Sequence, residues 1–432
     1  MVNNHYHLRC QGCNQVFPAG LWILYCPSCN KKALLVTEYH EPLTIDEMDD
    51  HFFSYAKWLP YENILRLKGS KMATIKSEAL GNAIGLDELW LLISGYAPEI
   101  GADFMTGTFK DCEAIGVLNR IDEQTNKLLI ASSAGNAGRA FLELGLRNNL
   151  PSIIVMPEQA RSKVSMQATS HKVPLVVLLS NAQYPDAIRL VDKAIEQFSE
   201  KLVREGGCYN VARRDSMGVP FLNAVRHMQF IPDWYVQAVG SGTGAIAAWE
   251  GAKRIRQFNL VKDGQMRLLM VQNEPFCPMV DAWKTGEREI NHMNEEEVRR
   301  RLDKVRAKVL SNATPPYSVK GGVYDILKAS DGDMCSVTNE QIISAQCLAQ
   351  EKLGLEICDA AGAALAGLIK NVEEGLIHRE KRVLLHLTGV GLPDVIKNTH
   401  LYDYPNTVVV PSENFTGAFA AIENYLESTL AS

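Results

Sequence analysis

The sequence predicts an α/β fold with one or two mainly parallel sheets that helices cover on both faces. Short apolar runs such as 153–156 and 383–387 are typical of buried strands, and amphipathic stretches such as 186–198 lie between them. Strands that alternate with helices in this way form parallel sheets. A chain of 432 residues is long enough for two or three domains.

The individual elements follow from the period of their apolar residues. Strands are predicted at 127–132, 153–156, 176–179, 234–239, 268–271 and 383–387. Helices are predicted at 136–146, 186–198, 245–257 and 360–374, and Asp359 is placed to cap the last of them. The densely charged segment 287–308 predicts a solvated helix face, with an arm that binds a partner as the alternative.

The charge balance of the chain is mildly acidic. There are 44 Lys and Arg residues against 50 Asp and Glu, a net charge of −6. Nucleic acids and anionic membranes reward a basic face, so neither is an expected partner. No apolar stretch is long enough to span a bilayer, and the first residues do not form a secretory signal. Most of the ten cysteines are scattered singly, which is typical of reduced thiols and favours a cytoplasmic location.

Four cysteines near the N-terminus form two CxxC pairs. Cys10 and Cys13 make the first pair, and Cys26 and Cys29 make the second. The spacing within each pair lets both sulfurs reach one ion, and four sulfurs complete a closed tetrahedral site that suits structural Zn²⁺. A zinc ribbon is therefore predicted over residues 1–40. Iron is an alternative occupant, and a ribbon that binds nucleic acid is disfavoured because the segment carries few charges.

Four separated segments have the features of a site for an anionic cofactor. In the first, 106–111, Lys110 stands at the start of a helix, where the positive end of the helix dipole favours the neutral amine that a Schiff base requires. The second, 132–138, follows a strand and opens a helix, so its N–H groups can bind an anion. Read singly, these segments also fit a surface lysine and a simple helix cap.

The other two segments also follow strands. The third, 240–244, reads Gly-Ser-Gly-Thr-Gly and lets the backbone approach phosphate oxygens closely. Its loose fit to a dinucleotide fingerprint makes NAD the alternative, although the acidic residue that this fingerprint requires is misplaced. In the fourth, 388–394, the hydroxyl of Thr388 stands at the carboxyl end of a strand, where it can hydrogen-bond a pyridine nitrogen. A plain strand-to-loop turn is the alternative here.

Together and in this order, the four segments resemble the fold-type II PLP-dependent enzymes, the family of threonine synthase, tryptophan synthase β and cysteine synthase. The resemblance implies that Lys110 holds pyridoxal 5'-phosphate and acts as the catalytic base, and that Asn136 contacts the phenolic oxygen of the cofactor. It implies that Thr388 faces the ring nitrogen and that the phosphate lies on a loop made of Gly240, Ser241, Gly242, Thr243 and Gly244. The substrate carboxylate is expected at Ser132, Ser133, Ala134, Gly135 and Ala137.

A neutral hydroxyl beside the pyridine nitrogen leaves that nitrogen unprotonated. This weakens the electron sink and steers the chemistry toward elimination and addition at the substrate side chain. Within the family, the ribbon before the core and the segments 104–105, 109–114 and 315–322 look most like the cysteate synthase branch. That resemblance implies replacement of the phosphate of O-phosphoserine by sulfite to give L-cysteate, which feeds coenzyme M synthesis.

Threonine synthase acting on O-phosphohomoserine, or another amino-acid β-replacement or elimination enzyme, is the alternative. It is disfavoured because Cys112-Glu113 follow Lys110 and its neighbouring Asp where Arg-Gly is common in threonine synthases. A catalytically idle PLP fold or a ribbon that serves as a binding module is a third possibility. The intact Lys110, Asn136 and Thr388 argue against it.

The resemblance also implies the organisation of the chain. The predicted division is a ribbon at 1–40, a connector and the start of the large domain at 41–100, a large PLP-binding domain at 101–129 and 218–432, and a smaller mobile α/β domain at 130–217. A homodimer is expected, with the smaller domain closing over the substrate. The candidate binders of phosphate and sulfite are Lys163, Arg213, Arg214 and Lys320, each of which also fits an exposed surface cation.

Overall fold

The structure is a computed structural model, and it describes residues 5–20, 22–29, 32–44, 51–61, 70–124, 127–163, 174–262, 264–397 and 406–430. Its strands, in chain order, are β1 (Tyr6–Cys10), β2 (Val16–Pro18), β3 (Leu35–Tyr39), β4 (Ala73–Lys76), β5 (Glu88–Ile93), β6 (Tyr96–Ala97), β7 (Ala102–Asp103), β8 (Leu128–Ser132), β9 (Ser152–Pro157), β10 (Leu175–Ser180), β11 (Leu202–Arg204), β12 (Trp234–Ala238), β13 (Arg267–Asn273), β14 (Asp333–Val337), β15 (Arg382–Leu387) and β16 (Thr407–Pro411). Its α-helices are α1 (Glu78–Ile84), α2 (Lys110–Gln124), α3 (Asn136–Arg147), α4 (Tyr184–Gln197), α5 (Val211–Met228), α6 (Thr243–Gln257), α7 (Pro278–Lys284), α8 (Glu295–Lys304), α9 (Val323–Ser330), α10 (Asn339–Leu353), α11 (Asp359–Glu373), α12 (Leu392–Lys397) and α13 (Thr416–Leu430).

The N-terminal segment forms its own antiparallel sheet, in the order β2-β1-β3. Buried and half-buried side chains alternate along β1 and β3, as they do in strands that cover a core with one face. The buried face rests on α5, where the hydroxyls of Thr37 and Tyr39 donate hydrogen bonds to Asp215 at 2.7 and 2.8 Å. The N-terminal sheet is therefore docked onto α5 through buried polar contacts.

A five-stranded parallel sheet has the order β11-β8-β9-β10-β16. Its outer strand β16 comes from the C-terminal end of the chain, and α13 packs beside it with Ile422 and Leu426 buried. The predicted division, which placed all of 218–432 in the larger domain, is therefore wrong for this C-terminal segment. Without β16, the apolar strand β10 would be an unprotected edge.

A six-stranded sheet has the order β14-β13-β12-β15-β5-β4, and it is parallel except for β4. Helix α11 packs closely on this sheet at Gly367, where no side chain would fit: a Cβ at this position would lie 2.4 Å from Val271 Cγ2. The predicted cap of this helix is wrong: Cys358 precedes the helix and Asp359 is its first residue. The Asp359 carboxylate instead accepts a hydrogen bond from Arg306 Nε at 2.8 Å.

Two further expectations concern the charged segment 287–308 and helices that could span a membrane. Within the charged segment 287–308, α8 leaves most of its residues at least partly exposed and buries Leu302, as predicted for a solvated helix. Among the helices that the structure describes, none has the length and apolarity that crossing a membrane requires.

Helices α2 and α5 cross at close range through Gly116. A Cβ at this position would lie 2.4 Å from both the Ala212 carbonyl oxygen and Ser216 Oγ, so only a hydrogen atom fits. The crossing places the first turn of α2, where Lys110 lies, beside Arg213 on α5. The geometry of the site therefore depends on this helix contact.

Gly116→Ala is expected to destabilise the fold by about 1–3 kcal/mol, because the added methyl overlaps the Ala212 carbonyl oxygen. Gly218→Ala on α5 is the matched control, since its Cβ would lie 3.3 Å from the nearest atom and the gain in helix propensity is the same. Urea denaturation followed by circular dichroism measures both free energies of unfolding. Equal losses in the two variants would contradict the packing argument.

Candidate active site

The four segments that the sequence analysis singled out line one cavity of about 120 Å³. It lies where the carboxyl ends of β8, β12 and β15 meet the first turns of α2, α3 and α6. The predicted site residues that line it are Lys110, Ser132, Ser133, Ala134, Asn136, Ala137, Gly240, Ser241, Gly242, Thr243, Gly244 and Thr388. Gly135 belongs to the same loop but does not line the cavity.

Lys110 is the first residue of α2 and presents a partly exposed amine to the cavity. Its Nζ lies 2.7 Å from Glu113 Oε2 and 5.1 Å from the centre of the Phe109 ring. The Phe109 N–H donates to the Thr388 carbonyl oxygen at 3.1 Å. The lysine segment and the Thr388 segment are thus joined directly by their backbones.

The start of α2 is also held by the residue after the lysine. Asp111 accepts hydrogen bonds from the N–H and the hydroxyl of Thr106. Burial raises the pKa of Asp111 to about 6, against the lowering effect of these two hydrogen bonds. This carboxylate fixes the turn that aims Lys110 and does not itself reach the cavity.

The glycine loop between β12 and α6 suits a phosphate. Gly242 has φ = 76°, and a Cβ at Gly244 would lie 2.6 Å from Gln237 Nε2, so no side chain can fill the loop. The first turn of the fifteen-residue helix α6 presents N–H groups that have no partner within the helix. Anions bind well at such a position. The residues present therefore fit the phosphate of a cofactor.

The loop between β8 and α3 is shaped by Ser133. Its hydroxyl oxygen accepts hydrogen bonds from the N–H groups of Gly135 and Gly138 at 2.9 and 2.7 Å. Gly135 has φ = 133°, which side chains other than hydrogen rarely tolerate. The loop thereby turns sharply, and the side chain of Asn136 and the first turn of α3 face the cavity.

Charged side chains of alternating sign surround the amine of Lys110. Glu113 Oε2 lies 3.0 Å from Arg213 Nη2, and Arg213 Nη1 lies 2.6 Å from Glu205 Oε1. Glu113 is almost fully buried, with a side chain that is 1% exposed. Burial raises the pKa of Glu113, but the charges of Arg213 and Lys110 outweigh burial and hold the pKa below its ordinary value.

The four predicted metal ligands are close together. The Sγ atoms of Cys10, Cys13, Cys26 and Cys29 all lie within 4.8 Å of one another. Cys10 and Cys29 are 3.8 Å apart, and Cys13 and Cys26 are 3.7 Å apart. The ribbon can therefore hold a metal ion between its two knuckles.

A family model described as pyridoxal-phosphate dependent enzyme matches residues 71–389. The chain belongs to this family. The match covers the first three segments and reaches Thr388 and Gly389 of the fourth, so the predicted family and its cofactor, pyridoxal phosphate (PLP), are confirmed.

Similar proteins extend this result over almost the whole chain. The cysteate synthase of Methanospirillum hungatei is 38% identical over 391 residues, which are 89% of this chain and 90% of the relative. That of Methanocella paludicola is 35% identical and covers 97% of this chain and 96% of its own. That of Methanoculleus marisnigri is 38% identical with 96% coverage of both chains.

Solved structures share the fold. A PLP-dependent aspartate racemase aligns with a TM-score of 0.55 and 16% identity, covering 74% of this chain and 89% of its own. The serine racemase of Dictyostelium discoideum aligns with a TM-score of 0.52 and 16% identity, covering 73% and 91%. At such low identity these structures show the fold alone, and they confirm the predicted α/β fold of the fold-type II PLP enzymes.

The candidate anion binders of this PLP enzyme are dispersed. Arg213 lines the cavity, but its guanidinium is already paired with Glu113 and Glu205. Arg214 lies in the core, bonded to Glu250 and to the carbonyl oxygens of Leu35 and Cys208, and Lys320 is an exposed residue away from the cavity.

The predicted anion binder Lys163 has a side chain outside the described residues. Among the described residues, the cationic side chains that line the cavity are Lys110 and Arg213.

A larger cleft of about 980 Å³ adjoins the cavity and shares Ser132, Tyr184, Arg213 and Ser241 with it. One wall of this cleft comes from the four-cysteine ribbon, through Tyr25, Cys26, Cys29 and Lys32. The tight cavity of the PLP enzyme thus opens toward the ribbon, which no sequence pattern indicated.

Several residues at the cavity were not assigned to it from the sequence. Glu113 was noted only as a departure from the threonine synthase motif, although a residue three positions after Lys110 lies on the same helix face. Gln237 interrupts an apolar strand, a signal that could have found it. Tyr184, which hydrogen-bonds the Ser132 side chain, gave no such signal.

A buried chain of hydrogen bonds between β12 and β15 supports Gln237, which lines the cavity. The Tyr235 hydroxyl donates to Gln237 Oε1 at 2.9 Å and contacts His386 Nδ1 at 2.7 Å. Because the hydroxyl has one proton, His386 Nδ1 must carry a proton and donate it, and Ser94 then donates to His386 Nε2 at 2.9 Å. Burial lowers the pKa of His386 to about 3, so the ring is neutral.

The neutral His386 predicts a loss of stability in acid. Its pKa is below the ordinary 6.5, so the stabilisation is complete above pH 6.5 and is lost as the pH falls toward about 3. Between pH 6 and 4, His386 should lower the free energy of unfolding by about 1.4 kcal/mol per pH unit. Urea denaturation at several pH values measures this slope, and His386→Asn should flatten it.

The exposed His378 provides the control. His378→Asn removes a histidine without disturbing the core, and it should leave the acid slope as in the parent chain. A His386→Asn variant with an unchanged slope would show that His386 does not carry the effect.

Proposed function

We propose that this enzyme replaces the phosphate of O-phosphoserine by sulfite and releases L-cysteate. The observation that carries the proposal is the similarity to relatives named cysteate synthase, which runs through both the ribbon and the core. The cavity supports it, because its residues fit a PLP site in which the cofactor ring meets a neutral hydroxyl.

PLP, when bound, supplies the electron sink that lets a substrate lose its α-proton. Lys110 is proposed to hold the cofactor and, when its amine is free, to take that proton and later return it. The loop Gly240, Ser241, Gly242, Thr243 and Gly244 is proposed to hold the phosphate, with Asn136 and Thr388 contacting the ring.

The substrate carboxylate is assigned to the loop Ser132, Ser133, Ala134, Gly135 and Ala137. The first turn of α3 supports this assignment, since its N–H groups favour an anion. The loop follows β8 of the five-stranded sheet, so movement of the predicted smaller domain at 130–217, together with the strand β16 that completes its sheet, would carry the loop toward the substrate.

Four further features belong to the same proposal. The enzyme acts on small molecules, and the family resemblance supports a homodimer. None of the ten cysteines forms a disulfide, which suits the reducing cytoplasm. The ribbon is proposed to hold structural zinc, because Zn–S bonds of about 2.3 Å place tetrahedral sulfurs about 3.8 Å apart, close to the Sγ separations of 3.7 and 3.8 Å.

The holoenzyme incubated with O-phosphoserine and sulfite is expected to form L-cysteate and phosphate, measured by mass spectrometry and a phosphate assay. Lys110→Ala should lose the reaction and the visible absorption of the lysine-bound cofactor. Lys253→Ala, on the exposed side of α6, is the control and should keep both. Threonine formed from O-phosphohomoserine, with no cysteate, would assign the enzyme to threonine synthase instead.

Elemental analysis of the purified chain is expected to find about one zinc per chain. Cys26→Ser should lower this ratio strongly, because three sulfurs leave the ion open to exchange, whereas Cys347→Ser at an exposed position should not change it. Iron in place of zinc would refute the metal assignment, and a metal-free chain with a folded ribbon would refute the site.

A further inference from the structure

Glu113 is a buried carboxylate that the proposed chemistry has not yet used. It lies one helical turn after Lys110, and the α2–α5 contact locks it between Lys110 and Arg213. Its side chain is 1% exposed, so water does not screen its charge. A buried charge of this kind requires a partner of opposite sign.

The charges around Glu113 indicate that its carboxylate balances Lys110 as well as Arg213. Arg213 has a second carboxylate, Glu205, at 2.6 Å, and Glu205 is itself held by the Gly207 N–H at 2.9 Å. Two carboxylates therefore face one guanidinium, and the remaining negative charge is balanced by Lys110. The other titratable groups near this network are Tyr184, whose pKa burial raises, and the buried thiol of Cys112, whose pKa burial also raises.

We propose that Glu113 is a positioning residue that holds Lys110 Nζ in the cavity and stabilises its protonated form while Lys110 carries the α-proton. This inference rests on the proposed role of Lys110 as the base. In that step the Cα–H bond breaks and an N–H bond forms on Nζ, while the electron pair of the C–H bond stays with the substrate and its cofactor. The ammonium so formed faces Glu113 Oε2 at 2.7 Å.

The same contact keeps the Lys110 ammonium in position, so that its proton can be returned to Cα. An ammonium that is hydrogen-bonded to a fixed carboxylate keeps its position, because both α2 and Arg213 hold the Glu113 side chain. Once phosphate has left and sulfite has added to the side chain of the substrate, the proton leaves Nζ for Cα, and Nζ is free to hold the cofactor again. The carboxylate thus acts through Lys110 and need not touch the substrate.

Glu113→Gln keeps the size of the side chain but removes its charge. In the holoenzyme, kcat for cysteate formation should fall roughly 10- to 100-fold, the effect of losing one hydrogen bond to a charged group. KM for O-phosphoserine should change much less. The acidic limb of the kcat–pH profile should also move to lower pH, since the protonated lysine is less stabilised.

A second measurement does not depend on turnover. In the cofactor-free full chain at neutral pH, reductive methylation of Lys110, followed by peptide mass spectrometry, reports the fraction of neutral amine. Loss of the negative charge should make this methylation several-fold faster in Glu113→Gln, although catalysis is slower. A merely structural defect would not produce these opposite changes at Lys110. Methylation of the exposed Lys253 is the internal control.

Glu113→Asp keeps the negative charge but moves it away from Nζ by one methylene. Its kcat and its rate of Lys110 methylation should both lie between those of the parent chain and those of Glu113→Gln. If Glu113→Gln does not fold, Glu113→Asp alone decides. Parent-like kcat together with parent-like methylation in a folded variant would overturn the inference. Absence of cysteate formation by the parent chain would instead refute the proposed function, and the methylation result would still test the contact between Glu113 and Lys110.

Discussion

The catalytic cavity depends on backbone hydrogen bonds that join the turn before α2 to the loop after β15. The N–H of Phe109 donates to the Thr388 carbonyl, and the N–H of Val390 donates to the Gly107 carbonyl. Because β15 is a central, buried strand of the larger sheet, it gives the start of α2 a rigid support. Lys110 and Thr388 therefore face the same space from distant parts of the chain.

Charge at the site is arranged in alternation. Lys110, Glu113, Arg213 and Glu205 follow one another with opposite signs, and each compensates a neighbour that would be costly to bury alone. No single charge in this arrangement can be removed without leaving a neighbouring charge uncompensated. The low polarity of the site makes the arrangement stronger than it would be in water.

The ribbon is connected to this arrangement by packing. A Cβ on Gly206 would lie 2.6 Å from a methyl of Leu24, so the ribbon packs closely on this glycine. The Tyr25 ring also packs on the Tyr209 ring, with centroids 4.7 Å apart. Both contacts hold the turn that follows Glu205. The knuckle formed by Cys26 and Cys29 is thus part of the wall of the larger cleft and a support for the residues around Lys110.

Much of the local structure could be predicted from the sequence, because it depends on short-range preferences. The strand predicted at 153–156 is Ser152–Pro157, and the helix predicted at 136–146 is Asn136–Arg147. In both cases the apolar period and the flanking turn residues lie within the segment itself. The motif around Lys110 was recognisable for the same reason, since a helix start and a glycine loop are local features.

The errors have a common physical cause. The sheet that β16 joins depends on the apolar edge strand β10, with which β16 pairs. The role of Arg214 depends on carbonyl groups contributed by the ribbon and by the loop before α5. Neither is a property of the segment that contains the residue. Periodicity in one segment carries no information about a neighbour that is distant in sequence.

The sequence by itself determined the α/β class, the four-cysteine knuckles and the segments that line the cavity, since each is encoded in a few consecutive residues. Only the tertiary structure decided that these segments meet, that β16 completes the smaller sheet and that the cleft opens along the ribbon. It also decided that Glu113 faces Lys110 and Arg213 together, because that contact requires the close crossing of α2 and α5 at Gly116.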